Sequence, residues 1–258
     1  MKKISHKTAK ASHYNNDAKH YDAFNEKNSE VMNKNIERIL KKHKIKSVLD
    51  LTCGTGSQVF WLTKRGFDVV GSDINANMLK VAKSKARKEK REIKFLLGDM
   101  RTIQVGQFDA VISIFNAVGH LSKRDFEKAM RNVAKNLKTG GYYIFDINNL
   151  SYLQKDNNIT SLTIDWQKRV GDLKLREIQY STIDHNGILA SFTTSSSQKG
   201  AGKPKISTSA QTLQVYSAKQ LKEMLFRCGF KVVGHGGIDG SRFIDNKTHN
   251  IITIAKKL

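Results

Sequence analysis

The chain has 258 residues, 39% of them hydrophobic and 26% charged, and its 45 Lys and Arg against 23 Asp and Glu give a formal charge of +22. Such a composition buries a full core in one large domain or two small ones, and excludes disorder or a collagen-like chain. No apolar run approaches the ~18 residues of a membrane span, and the opening MKKISHKTAKASHYNND lacks the apolar stretch of a secretory signal. Cys53 and Cys228 are the only cysteines, too few for a disulfide framework or a zinc cluster. A soluble cytoplasmic protein is expected. The charge attracts phosphate backbones, but abundant Lys, Asn and Ile beside a single Pro equally fit AT-rich coding bias and solvated helix faces. A nucleic-acid partner is therefore the lesser expectation, and no membrane partner is expected.

In chain order, Val31, Met32, Ile36, Ile39 and Leu40 recur at helical spacing between residues 28 and 43. SVLDL (47–51) is a short buried strand stopped by CGTG, and SQVFWLTKRG is a helix closed by Gly66. DVVGSD (68–73) is a second strand. NANMLKVAKSKARKEK then forms a helix with Met78, Leu79, Ala82 and Ala86 on one face. IKFLLGD, FDAVISIF, the helical SKRDFEKAMRNVAKNLKTGG (122–141) and the strand YYIFDIN continue the alternation, which predicts a parallel sheet covered on both faces. After Asn148 the pattern changes. TIDWQKRV, KLREIQYSTI and ILASFTTSS read as antiparallel hairpins split at Gly171 and at His185-Asn186-Gly187. The segment Thr193–Thr212 is expected to be a polar loop or mobile arm between strands. SAKQLKEMLFRCGF is a helix ending at Gly229, and KVVGHGG and HNIITIAKK are closing strands.

The turn after the first strand carries the sharpest signal. Gly54 and Gly56 allow a tight bend and close approach of the backbone to a ligand, beside the unpaired N–H groups that open the next helix. The dinucleotide fingerprint G-x-G-x-x-G fails at Val59, and the Lys-Ser/Thr of a P-loop is absent. Asp73 ends the second strand, where a carboxylate accepts hydrogen bonds from both hydroxyls of a ribose. Asp99 ends the third strand, placed to read an adenine amino group beside the apolar wall of Met100. Asp50, within the first strand, is placed to face the cationic end of a ligand through water. Three carboxylates around one crevice suit a positively charged nucleoside.

VLDLTCGTG, GFDVVGSDINANML and LLGDM together resemble the glycine motif, the ribose-binding strand and helix, and the adenine-contacting segment of class I S-adenosylmethionine-dependent methyltransferases. Cys53 sits inside that glycine motif. IFNAVGHL and VYSAKQLKEMLFRCGF are most similar to small-molecule amine N-methyltransferases of the glycine/sarcosine and nucleotide-linked amino-sugar types. The resemblance covers nearly the whole chain. It implies an α/β, Rossmann-like seven-stranded sheet in the order 3-2-1-4-5-7-6 with an antiparallel last strand and helices on both faces. It also implies a cofactor domain over 46–149 and 213–258, a helical lid segment over 1–45, and an antiparallel β insertion over 150–212 that roofs the acceptor pocket. S-adenosylmethionine is the expected cofactor, S-adenosylhomocysteine the product, and no metal is needed. Tyr21, Asp50, Cys53, Gly54, Gly56, Asp73, Ile74, Met78, Asp99, Met100 and Phe115 are the residues expected at the cofactor.

Methyl transfer needs mainly alignment of the acceptor lone pair with the S–CH₃ bond, and an amine acceptor must be neutral. Asn116 is expected to hold the acceptor or the methionine moiety, and His120 to orient the amine or take its proton. Tyr14 and Tyr21, seven apart, share a helical face in a segment similar to the family's lid, where a ring can meet the sulfonium methyl. His6, His13 and His20, also seven apart, are too widely spaced for one metal and read as a solvated face or frayed tail. Cys228 reads as a small core residue, and the glycines of GHGGIDG (234–240) as those of a loop joining the last two strands. A small-molecule acceptor is the expected partner, and a homodimer is compatible with the sequence. The alternative is an RNA or protein acceptor recruited by the basic surface; ISIFNAV lacks the Asn/Asp-Pro-Pro-aromatic motif of amino-directed nucleic-acid enzymes.

Overall fold

The computed structural model describes residues 5–12 and 21–258, the side chains of 21–28 excepted. α1 (Tyr21–Lys42) begins seven residues before the amphipathic run, and buries Met32, Ile36, Ile39 and Leu40 against the sheet. The nucleotide-fold alternation follows: β1 (Ser47–Asp50), α2 (Ser57–Thr63), β2 (Asp68–Asp73), α3 (Ala76–Lys88), β3 (Lys94–Leu97) and β4 (Phe108–Ser113). α4 (Lys123–Lys135) and β5 (Leu137–Asn148) complete the parallel part. The sheet order is β3-β2-β1-β4-β5 followed by β11 (Asn250–Lys257) and β10 (Phe230–Gly236), with β11 antiparallel to both neighbours. This is the order and strand sense expected. Ile36 of α1, Val59 of α2 and Leu79 of α3 pack on one face. Phe126 and Met130 of α4, with Leu221 and Leu225 of α6 (Ala218–Arg227), pack on the other. Emptying one such fully buried site, as in Phe126→Ala, costs about 3–5 kcal/mol.

The helix expected over 122–141 is shorter. Asn136 ends α4: its Nδ2 donates to the carbonyls of Ile103 and Asn132, both at 3.0 Å, and its Oδ1 accepts from Val105 N at 2.8 Å. Leu137 then enters the sheet opposite Phe108, and the register shifts before Tyr142 meets Ala110. Residues 137–141, expected to end the helix, belong instead to the start of β5.

After β5, the short α5 (Leu150–Leu153) leads to a second sheet of β6 (Ile164–Val170), β7 (Leu173–Ile183), β8 (Ile188–Lys199) and β9 (Lys205–Gln214), paired antiparallel in that order. The expected polar arm over 193–212 is thus two strands in continuous register, from Ile188↔Gln214 to Ser197↔Lys205. Several hydroxyls of this sheet pair across strands: Ser181 and Ser191 share a bond of 2.8 Å, and Thr193 and Ser195 donate to Gln179 and Glu177. Polar side chains on both faces look like a loop in one dimension, yet threonine is a strand former. The excursion leaves and rejoins the core at one place, where Leu150 N donates to Tyr216 O at 3.0 Å and Asn149 bridges Tyr216. No helix among the described residues is long and apolar enough to cross a membrane.

Candidate functional site

The turn between β1 and α2 uses its two glycines differently. Gly54 has φ +52°, and a Cβ built on it meets nothing within 4 Å, so it faces an open crevice. Gly56 has φ +92°, and a Cβ there would stand 2.7 Å from the Phe60 ring, so its smallness serves packing. Cys53 is buried; its N–H is spent on Ser72 O at 2.9 Å, and burial pushes its thiol well above the ordinary range. Asp73, at the end of β2, accepts Gly54 N on Oδ2 and Asn75 N on Oδ1, both at 2.8 Å. Burial still raises this carboxyl above its ordinary value. Behind the turn, Asp50 is 1% exposed; Oδ1 accepts Thr52 N at 3.1 Å, while Oδ2 is buried without a partner. Burial first, and then the charge of Asp73, pushes Asp50 up to about 8.

A crevice of about 840 Å³ opens at the ends of these strands. Gly54, Asp73, Ile74, Met78, Asp99, Met100, Phe115 and His120, all expected from sequence, line it together. Asp50, Cys53, Gly56 and Asn116 do not reach its wall. Asn116 lies beneath, its Oδ1 accepting Asn148 N at 3.3 Å. Phe115 and Asn116 both take left-handed backbone, φ 65° and 55°. Their N–H groups are held by the buried carboxylate of Asp146 in β5, the Asn116 contacts being 3.0 and 3.1 Å. Burial pushes Asp146 up to about 7. Tyr14 lies outside the described residues, and Tyr21 is the first residue of α1, its side chain likewise outside them.

Sequence reasoning missed three parts of this site. Arg101 Nε contacts both Asp99 oxygens, at 3.0 and 2.9 Å, and its Nη1 reaches Asp125 at 2.8 Å. Burial alone would raise the Asp99 carboxyl; the guanidinium overrides it and leaves Asp99 below the usual carboxylate range. The second part is a strap formed by residues 6–11. Thr8 Oγ1 donates to Asp125 at 2.5 Å and accepts Ser122 N at 3.0 Å. Ala9 N donates to His120 O, and Ala11 O accepts from Asn75 Nδ2. His6, expected on a solvated face, is instead half-buried with Nδ1 2.9 Å from Thr212 Oγ1 of β9, so strap and second sheet touch. The third part is Asp146. A lone acid inside the apolar YYIFDIN was its visible signal; Arg101 had its place directly after LLGDM, and Thr8 had none.

The crevice therefore offers carboxylates at two strand ends, an open glycine turn at the head of α2, and apolar walls from Ile74, Met78, Met100 and Phe115. It suits a ligand with hydroxyls, a flat apolar body and positive charge better than a pyrophosphate. Comparison with known proteins agrees. Residues 48–141 match the methyltransferase domain family. A glycine/sarcosine N-methyltransferase of Parasynechococcus marenigrum (strain WH8102) is 39% identical over 120 residues, 45% of this chain and 43% of that protein. A dTDP-3-amino-3,4,6-trideoxy-alpha-D-glucopyranose N,N-dimethyltransferase of Streptomyces venezuelae is 33% identical over 102 residues, 39% of this chain and 41% of that one. The matched segments thus span under half the length of these curated relatives. The crystal structure of an S-adenosylmethionine-dependent methyltransferase from Clostridium acetobutylicum superposes with a TM-score of 0.74 at 17% identity, over 95% of this chain and 98% of the other, which shows a shared fold. Residues 48–141 thus carry a methyltransferase domain, and the sheet order, glycine turn and matched sequence are similar to those of class I S-adenosylmethionine-dependent methyltransferases, small-molecule N-methyltransferases among them.

Proposed function

We propose that this chain transfers the methyl group of S-adenosylmethionine to an amine nitrogen of a small-molecule acceptor, by in-line displacement. The observation that carries the reading is the open cradle at Gly54, with Asp73 on its rim and the unpartnered Oδ2 of Asp50 behind it. When bound, the cofactor supplies a methyl carbon on a sulfonium: the acceptor nitrogen bonds to that carbon as the S–C bond breaks, and a neutral thioether leaves. Asp73 takes the ribose hydroxyls on lone pairs left over from its two backbone bonds. Ile74, Met78 and Met100 enclose the base, and Asp99, oriented by Arg101, faces its edge. Phe115 and His120 face the acceptor. The His120 imidazole accepts the proton that the alkylated nitrogen must lose. The strap over 6–11 excludes water, which favours the neutral amine. Relatives named for glycine, sarcosine and amino-sugar methylation support the amine.

Calorimetric titration with S-adenosylhomocysteine tests the cofactor step. Micromolar binding that falls at least ~10-fold in Asp73→Ala is expected, since a hydrogen bond to a charged group is worth about 1.5–3 kcal/mol. Wild-type affinity in that variant, or no binding by the wild-type protein, overturns the reading. For the acceptor step, His120→Ala should lower kcat with glycine, sarcosine or an amino sugar as acceptor while leaving cofactor affinity in place.

A further inference from the structure

On a second flank of the molecule, α1, the edge strand β10 and its neighbour β11 bound a second groove, open and about 710 Å³ in volume. It shares no lining residue with the crevice. Its apolar floor is Ile39, Ile252 and Ile254. One wall is α1, which presents Arg38 and Lys42 one turn apart, then His43. The opposite wall is the glycine-rich 236–240 segment, a motif that the methyl-transfer reading leaves unused.

Two sets of contacts build this groove. Asn35 Nδ2 donates to Gly237 O at 3.1 Å and Ile238 O at 3.2 Å, and Arg38 Nη2 donates to Gly240 O at 3.0 Å. Gly240 has φ +84°, and a Cβ there would lie 2.0 Å from Arg38 Nη2, so the loop is shaped around the guanidinium. By contrast, a Cβ on Gly234 would meet nothing within 4 Å, and one on Gly236 only Ser241 O at 3.4 Å. Packing does not require glycine at either place, and Gly236 lines the groove.

The charge is equally one-sided. Among the described residues no carboxylate lines the groove. Asp239 is turned into its own loop, where Oδ1 accepts Ser241 N at 2.9 Å. Two cations at i and i+4 disfavour a helix, although they suit its C-terminal end. The His43 ring lies 4.4 Å from that of Tyr142, and Lys256 Nζ stands 5.8 Å over Tyr142. Burial, and then the charges of Lys42 and Lys256, lower the His43 pKa, which reports the positive field in this corner.

From this juxtaposition of cations, the His43 ring backed by Tyr142, isoleucine floor and glycine-lined rim, we infer that the groove binds a phosphate monoester carried on a flat ring, of nucleoside monophosphate size. The phosphate sits between Arg38 and Lys42, whose donors suit an anion. The ring lies on the isoleucines toward His43. The inference stands apart from the methyl-transfer reading, because it uses no crevice residue.

Uridine monophosphate is the probe, titrated by calorimetry into wild-type protein and into Lys42→Glu, Gly236→Val and Asp73→Ala, with uridine and inorganic phosphate as separate arms. Expected are saturable binding by wild type and Asp73→Ala alike, at least ~10-fold weakening in Lys42→Glu and Gly236→Val, and at least ~10-fold weaker binding of either half-ligand. Lys42→Glu changes an exposed side chain and keeps the test valid should Gly236→Val fail to fold. Unchanged affinity in Lys42→Glu, loss of binding in Asp73→Ala, or no saturation up to about 10 mM overturns the site. Phosphate binding as tightly as the nucleotide overturns the ring.

Discussion

Gly54 and Gly56 share a left-handed backbone yet answer to different neighbours, so alanine should separate them. Gly56→Ala drives a methyl into the Phe60 ring and is expected to cost about 2 kcal/mol of stability in urea denaturation. Gly54→Ala should cost only about 1 kcal/mol of backbone strain, while its methyl enters the crevice and weakens S-adenosylhomocysteine binding by at least ~10-fold. The buried carboxylates make a second prediction. Asp146 titrates near 7 in the folded chain against an ordinary 3.8. Below pH ~4 both folded and unfolded chains hold the proton; between ~4 and ~7 only the folded chain does. Its contribution is therefore lost as pH rises through about 7, on the order of 4 kcal/mol. The stability difference between wild type and Asp146→Asn should shift by that much between pH 4 and 8, and a pH-independent difference would refute it. At this scale the sequence shows residues whose place at the crevice follows from a strand end or a turn, such as Asp73 and Gly54. It hides Thr8, which is brought to Asp125 only by the tertiary fold, and it cannot show that Asn116 turns its amide under β5.

The strap is held by two bonds at Thr8 and one each at His6, Ala9 and Ala11. Thr8→Ala removes a hydrogen bond to the Asp125 carboxylate and orphans Ser122 N. A loss of about 1 kcal/mol predicts roughly fivefold faster release of S-adenosylhomocysteine, read by stopped flow, with little change in melting temperature. α6 is a case where local signals sufficed. Ser217 and Gln220 form a reciprocal capping box, and Arg227 lies in the last turn, so both ends were legible. β8 and β9 were not, because Ser and Thr read as loop until a partner strand satisfies their hydroxyls. The end of α4 was misplaced for a related reason: Asn136 stops it through bonds to the 103–105 segment, far away in sequence.

Alternating strands and helices, joined by right-handed crossovers, leave few ways to order a sheet, which explains why its topology was legible from residue patterns and resemblance. The net charge of +22 acts on the molecule as a whole. Exposed Lys80, Lys83 and Arg87 repeat along α3 and repel their neighbours in every compact state. Raising NaCl from ~10 mM to ~0.3 M shortens the Debye length from ~30 Å to well under 10 Å and should raise Tm by several degrees. A flat or falling Tm in calorimetry would show that the cations are already compensated. The bridge at Asn149 and Tyr216 has a different bearing. Since the four-stranded excursion departs from and returns to adjacent residues, the seven-stranded sheet closes with or without it. The excursion is thus a cassette: recombination at these two positions can exchange one second sheet for another while the crevice at the ends of β1 to β4 is inherited intact.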